Sequence, residues 1–225
     1  GIDDPFNSPI YEVDWDGTRY KEGKKMKIPE GVSIYGLAYA TLGGQGGEKI
    51  IALDDDYLNI YEKTDKPLSR VKVIGGSREL IWKSDDNFGG SSNFIIDSVN
   101  VAGGGDLTKA FANIRILTYD TNKDGKKEII VVKNLSAVGR VLRNVKAFTA
   151  SEIYNLEWDG MGLTENWRTK KINGYVADYQ FKDIDNDGQN EIVLALVLST
   201  GVSFQDKSVI VAYKLLNTQD GSISK

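Results

Sequence analysis

The strongest constraint on this chain is a pattern that it writes twice. "YDTNKDGKKEIIVV" begins at Tyr119 and "KDIDNDGQNEIVLA" at Lys182. Each reads D-x-[DN]-x-D-G-x-x-E and runs straight into an apolar, β-branched stretch. Alternate spacing lets the side chains of a tight loop converge, and Gly125 or Gly188 permits the sharp backbone turn that brings them together. Carboxylates held this close repel one another unless a cation sits among them. An ordinary hairpin turn also favours Asn, Asp and Gly. A matched pair of loops, with an acid or amide at the same positions and Glu closing both, points beyond a turn to an ion.

In the first loop the side-chain oxygens of Asp120, Asn122, Asp124 and Glu128 are the candidate ligands, with the Lys126 carbonyl as a further one. In the second they are those of Asp183, Asp185, Asp187 and Glu191, with the Gln189 carbonyl. All are hard oxygens. Ca²⁺ accepts six to eight of these at irregular angles, whereas Mg²⁺ demands a stricter octahedron and retains water, so two calcium ions are expected. An EF-hand needs a bidentate Glu at position 12 and a helix on either side. Here that position is Val131 or Leu194 and the flanks read as strands, which excludes EF-hand and dockerin-like loops. The second loop offers four carboxylates and the first three plus an amide, with Lys123, Lys126 and Lys127 nearby, so the second is expected to bind more tightly. A third segment, Ala40 to Glu48, has the same outline with Ala40, Leu42 and Gly44 in place of acids, and no ion is expected there.

Around the loops lies a longer similarity. "YEVDWDGTRYKEGKKMKIPEG" from Tyr11 and "YNLEWDGMGLTENWRTKKING" from Tyr154 both read as strand, Trp-Asp-Gly turn and strand. Together these give units of four strands: one entering the loop, one leaving it, one ending near an aromatic residue, and one after a short turn. Such repetition predicts an all-β chain built as β-propeller blades of four antiparallel strands, with each acidic loop between the first two strands. The expected organisation is one propeller-like domain over 1–225, with a partial blade at 9–31, a blade at 32–83 followed by an insertion at 84–113, a blade at 111–174, a partial blade at 175–216 and a tail at 217–225. The chain is then a piece of a larger ring, or a short ring whose two ends zip into one blade. The second strands are almost continuously apolar, as strands buried on both faces are.

Two stretches interrupt the period, 84–113 and 134–152, and are read as loops. The first carries exposed-looking Phe88, Phe94, Ile95 and Ile96, which mark it as a candidate partner surface; the alternatives are a tolerated loop, or a segment that packs under the propeller as a plug or pairs with a neighbouring blade. Trp15, Trp82, Trp158 and Trp167 are expected to pack between units rather than to form a sugar platform. Lys21 to Lys25 read as an exposed hairpin tip, and Asp54 to Asp56 as a solvated turn.

Composition removes several functions. The chain has no Cys and no His, which excludes disulfides, thiolate nucleophiles, imidazole ligands and a His general base. A net charge of −4 without a basic patch argues against nucleic acid as a partner. No apolar run is long enough for a membrane-spanning helix. An opening Gly-Ile without Met is what a processed form, a piece of a longer protein or a cloning remnant would show.

At the acidic loops the chain resembles the FG-GAP/VCBS repeat family, the calcium-loop propellers that include the integrin α-subunit head, and in "LIWKSDDNFGGSSNF" and "NWRTKKINGYVADYQ" it is similar to exported bacterial VCBS-repeat proteins. The similarity covers both loops, the strand after each and the Trp-Asp-Gly pairs, while the Phe-Gly and Gly-Ala-Pro words of the family are not evident. The resemblance implies calcium bracing the first hairpin of each blade through the ligands named above. It also implies an extracytoplasmic location, with room for a lipid anchor on a preceding segment. The expected function is a non-catalytic binding, adhesion or assembly module for a protein or glycan partner. A glycan hydrolase or lyase on the same scaffold is the alternative; it is disfavoured because the clustered acids are already committed to the loops.

Overall fold

The computed structural model describes residues 6, 8–29, 31–43, 47–62, 80–97, 108–136, 146–198 and 207–215. Among these the chain is all-β, in several antiparallel sheets, with no helix. Strands β1 (Tyr11–Trp15) and β2 (Tyr20–Lys25) form a hairpin of their own. A four-stranded meander follows: β3 (Leu37–Thr41), β4 (Glu48–Asp54), β5 (Tyr57–Glu62) and β6 (Leu80–Asn87). After a two-stranded ribbon, β7 (Phe94–Asp97) with β8 (Thr108–Phe111), comes a second meander of β9 (Leu117–Tyr119), β10 (Glu128–Ser136), β11 (Phe148–Trp158) and β12 (Leu163–Arg168). The short β13 (Ile172–Asn173) also pairs with β11, beyond the end of β12. The last sheet has three strands, β14 (Tyr175–Lys182), β15 (Glu191–Leu198) and β16 (Lys207–Lys214).

The second strand of each meander is the most buried. In β4 every residue from Lys49 to Leu53 is buried, and in β10 every residue from Glu128 to Val132. Alternation is absent because both faces of these strands meet protein, as the apolar runs require. One core joins the three larger sheets: Ile51, Leu58 and Ile60 from the first, Ile129, Val131 and Ile153 from the second, and Tyr179, Ile192 and Leu194 from the third.

Buried polar groups stitch the sheets together. The Tyr179 hydroxyl lies 2.8 Å from the carbonyl oxygens of both Arg115 and Ile130 and shares its one proton between them. Burial pushes its ionisation far above the ordinary tyrosine range. The Asn134 amide donates to the carbonyls of Gly90 (2.7 Å) and Val176 (3.0 Å), while its oxygen accepts from the Val176 N–H and the Ser151 hydroxyl. One side chain thereby ties β10, β11, the start of β14 and the segment after β6.

That segment differs from the sequence reading. The stretch 84–113 was expected to leave the sheet at once, yet β6 continues to Asn87 and Ser84 is buried, its hydroxyl accepting the Leu58 N–H. Phe88, expected to be exposed, packs edge-on against Tyr154, and Gly89 bridges to β10 through its N–H to Val132 and its carbonyl to the Asn134 N–H. Only Phe94 and Ile95 on β7 are substantially exposed, at 41% and 47%; the side chain of Ile96 and residues 98–107 lie outside the description. Much of 134–152 is likewise strand, at the end of β10 and the start of β11. Lys21 to Lys25 belong to β2; the tip is Asp16 to Arg19, where the Asp16 carboxylate accepts the N–H groups of Thr18 and Arg19. Asp159 makes the equivalent bonds to Met161 and Gly162 in the β11–β12 turn. Trp158 is buried and Trp82 half-buried, the latter against Gly162 of the neighbouring sheet, while Trp15 is exposed and rests on Tyr20.

Asn134→Ala takes the amide donor from the Gly90 and Val176 carbonyls and leaves the Val176 N–H only the Ser151 hydroxyl at 3.2 Å, at about 1–3 kcal/mol per buried group left unsatisfied. It is expected to lower the unfolding free energy by at least about 2 kcal/mol in denaturant titrations, whereas Thr164→Ala, on an exposed edge, should change it by less than about 0.5 kcal/mol.

Candidate metal centres

The two acidic loops occupy the same place in their sheets, between β9 and β10 and between β14 and β15. They are folded by the same set of bonds. In the first, Asp120 accepts the N–H groups of Asp124 (3.0 Å) and Gly125 (2.9 Å), Asn122 accepts that of Asp124 (3.0 Å), and Asp124 accepts that of Lys126 (2.9 Å). In the second, Asp183 accepts from Asp187 (3.2 Å) and Gly188 (2.9 Å), Asp185 from Asp187 (3.3 Å), and Asp187 from Gln189 (2.9 Å). The fourth and sixth positions are left-handed in both: Lys123 at φ 63° and Gly125 at 87°, Asn186 at 60° and Gly188 at 87°. Short polar side chains and glycine tolerate that region; Lys123 is the costly exception.

These bonds use backbone N–H groups to hold the carboxylates inward. Carboxylate oxygens of Asp120, Asp124 and Glu128 lie within 4.8 Å of one another, as do those of Asp183, Asp185 and Asp187. Asn122 joins the first group through its shared hold on the Asp124 N–H. Lys126 and Gln189 give their N–H groups to the loops, and the Lys126 ammonium lies 3.7 Å from Glu157 and 3.9 Å from Asp124 Oδ2.

The closing glutamates are the unusual members. Glu128 opens β10 with none of its surface exposed, and Glu191 opens β15 at 2% exposure. One oxygen of each is used: Glu128 Oε2 accepts the Thr121 N–H (2.6 Å) and its hydroxyl, and Glu191 Oε2 accepts the Ile184 N–H (3.0 Å). The other oxygen, Oε1, is buried without a hydrogen bond in both. A buried carboxylate oxygen lacking a donor is costly. Burial accordingly pushes the Glu128 carboxyl above the usual range against the pull of Thr121.

The third segment provides a contrast. Glu48 opens β4 in the equivalent place but is exposed, and Ala40 and Leu42 have joined the core; Gly44 lies outside the description. Where the acids are absent, the loop glutamate is not drawn inward.

One participant escaped the sequence reading. Lys214, at the end of β16, places its ammonium 2.6 Å from Asp187 Oδ2, 2.8 Å from Asp185 Oδ2 and 3.9 Å from Glu191 Oε1. Its hydrogen bonds to Asp185 and then Asp187 raise its own ionisation, and the bond from Lys214 holds the Asp187 carboxyl below the usual range. The available signal was register: the third strand of a unit ends level with its loop, so its last residues face it.

No family model, curated protein or solved structure matches this chain. No helix among the described residues is long and apolar enough to cross a membrane.

An alanine Cβ at Gly125 meets nothing within 4 Å, so Gly125→Ala tests backbone conformation alone. Holding an L-residue in the left-handed region costs roughly 1–2 kcal/mol, and denaturant titration should register that loss. Unchanged stability would mean that the loop relaxes out of the described conformation.

Proposed function

We propose that the two loops are calcium sites, and that the chain is a calcium-braced, non-catalytic module of a propeller-type protein that works outside the cytoplasm. The observation that carries this reading is the buried Oε1 atom of Glu128, which lacks a hydrogen-bond donor and lies among converging carboxylates; Glu191 Oε1 is likewise buried without a donor, although the second cluster gathers Asp183, Asp185 and Asp187 without it. A cation supplies what each lacks. The residues fit: Asp120, Asn122, Asp124, Glu128 and the Lys126 carbonyl would hold one ion, and Asp183, Asp185, Asp187, Glu191 and the Gln189 carbonyl the other. An all-oxygen set of mixed carboxylate, amide and carbonyl suits calcium. When bound, the ion supplies positive charge that offsets the repulsion among the acids; the chain's own residues supply the cage and hold it at the mouth of the central strand.

The propeller reading is supported by the four-stranded meanders with loops between their first and second strands, and by first strands that approach the neighbouring sheet, β3 near β9 and β14 near β10 and β11. On this reading β1–β2 and β14–β16 are incomplete blades of a ring. Extracytoplasmic calcium is abundant enough to fill loops of modest affinity, which favours that location. The module's role is to bind a protein or glycan partner, for which the exposed Phe94 and Ile95 of β7 are the apolar candidates.

A ligand that binds only the folded state adds about 2.7 kcal/mol at a hundredfold excess over its Kd. Calcium should therefore raise the melting temperature, chelator should lower it, and magnesium should restore less. Glu128→Gln sharpens the test. Without metal it removes an uncompensated buried charge and should melt no lower than the parent; with calcium the parent should overtake it. A parent indifferent to both calcium and chelator would overturn the proposal.

A further inference from the structure

The sequence makes the second loop the stronger acid cluster, but the strand register reverses the electrostatics. Glu191 faces Lys182 across the β14–β15 ladder and Lys214 across the β15–β16 ladder. Glu128 faces Tyr119 across the β9–β10 ladder. Continuing the β10–β11 register one residue beyond the Ile129–Leu156 pair places Glu157 on its other side. Directly opposed residues in antiparallel strands project from the same face. The second loop therefore has a lysine on each side of its closing glutamate, and the first has a tyrosine and a second acid.

The Lys214 ammonium also takes the particular oxygens a metal would need. In the second loop, Asp185 Oδ1 and Asp187 Oδ1 are committed to backbone N–H groups. Their Oδ2 atoms accept no backbone N–H in these pairs and are the ones Lys214 meets, at 2.8 and 2.6 Å, with Glu191 Oε1 at 3.9 Å from the same ammonium. Among the described residues no ammonium is so placed in the first loop: Lys126 stands 3.9 Å from Asp124 Oδ2 and 3.7 Å from Glu157. A calcium ion bonded at about 2.3–2.6 Å to those oxygens competes with the ammonium for the same negative charge and repels it at short range.

Resting on the metal reading of the loops, we propose that Lys214 is a tethered cation that occupies the second site and competes with calcium there, so that the first loop is the high-affinity site and the second fills only when Lys214 is displaced. Its side chain is 52% exposed, so withdrawal into solvent is open to it. Filling the second site then frees a lysine on the strand at the edge of the third sheet.

Calorimetric titration of the full chain with calcium should resolve a tight and a weak class of site. Asp183→Ala should remove the weak class, which assigns it to the second loop. Lys214→Met keeps the length and removes the charge; it should tighten the weak class at least tenfold and leave the tight class unchanged. Melting in chelator supplies a metal-free readout, in which Lys214→Met should fall below the parent because the second loop has lost its counter-charge. The proposal is overturned if Lys214→Met leaves the weak class as it was or weakens it, or if Asp183→Ala abolishes the tight class. Should no variant respond to calcium while Lys214→Met still melts lower in chelator, the metal reading and the competition fall together, and Lys214 is the loop's permanent counter-ion.

Discussion

Everything near the loops depends on a glutamate placed where a carboxylate is hardest to keep. Glu128 is the first residue of the most buried strand in its sheet, with one oxygen held by Thr121 and the other without a donor. An isolated charge of this kind is strongly unfavourable in a protein interior. It can be tolerated if it is protonated or if a cation lies beside it. The surrounding loop spends four N–H bonds on aiming further carboxylate and amide oxygens toward the same place. An arrangement that gathers negative charge around an already uncompensated oxygen is intelligible as half of a binding site, and the proposed ion is the other half.

The same glutamate position takes three forms in one chain, and they differ in where the counter-charge comes from. At Glu48 the neighbouring acids are gone and the side chain is exposed. At Glu191 an ammonium from β16 reaches the acids. At Glu128 the nearby Lys126 stands 3.7 Å from Glu157 and 3.9 Å from Asp124, in hydrogen-bond contact with neither. On the proposed reading, side chains on the adjacent strand set how strongly each loop calls for an external cation, which counting the carboxylates within a loop misses.

Much of this was legible before any coordinates. The apolar second strands, the Trp-Asp-Gly turns and the D-x-[DN]-x-D-G-x-x-E loops have local causes, and the described residues are all-β, with one acidic loop between β9 and β10 and the other between β14 and β15. Contacts set by neighbouring sheets were not legible. Phe88 and Gly89 look like the start of a Gly-rich excursion because nothing local reveals that Tyr154 and β10 receive them. Asn134 opens a stretch read as a loop, yet it lies in β10 and satisfies carbonyls from two other segments. Lys214 ends an ordinary strand, and only its pairing with Glu191 brings it to the loop. In each case the partner is distant in sequence, so its effect enters through register and sheet packing.

The most direct test of the central claim is a crystal structure of the chain grown with calcium. The account predicts an anomalous peak in the first loop, about 2.3–2.6 Å from Glu128 Oε1 and shared with Asp120, Asn122 and Asp124. A well-ordered first loop in which Glu128 Oε1 meets only water or a protein donor, with no ion among the carboxylates, would contradict it.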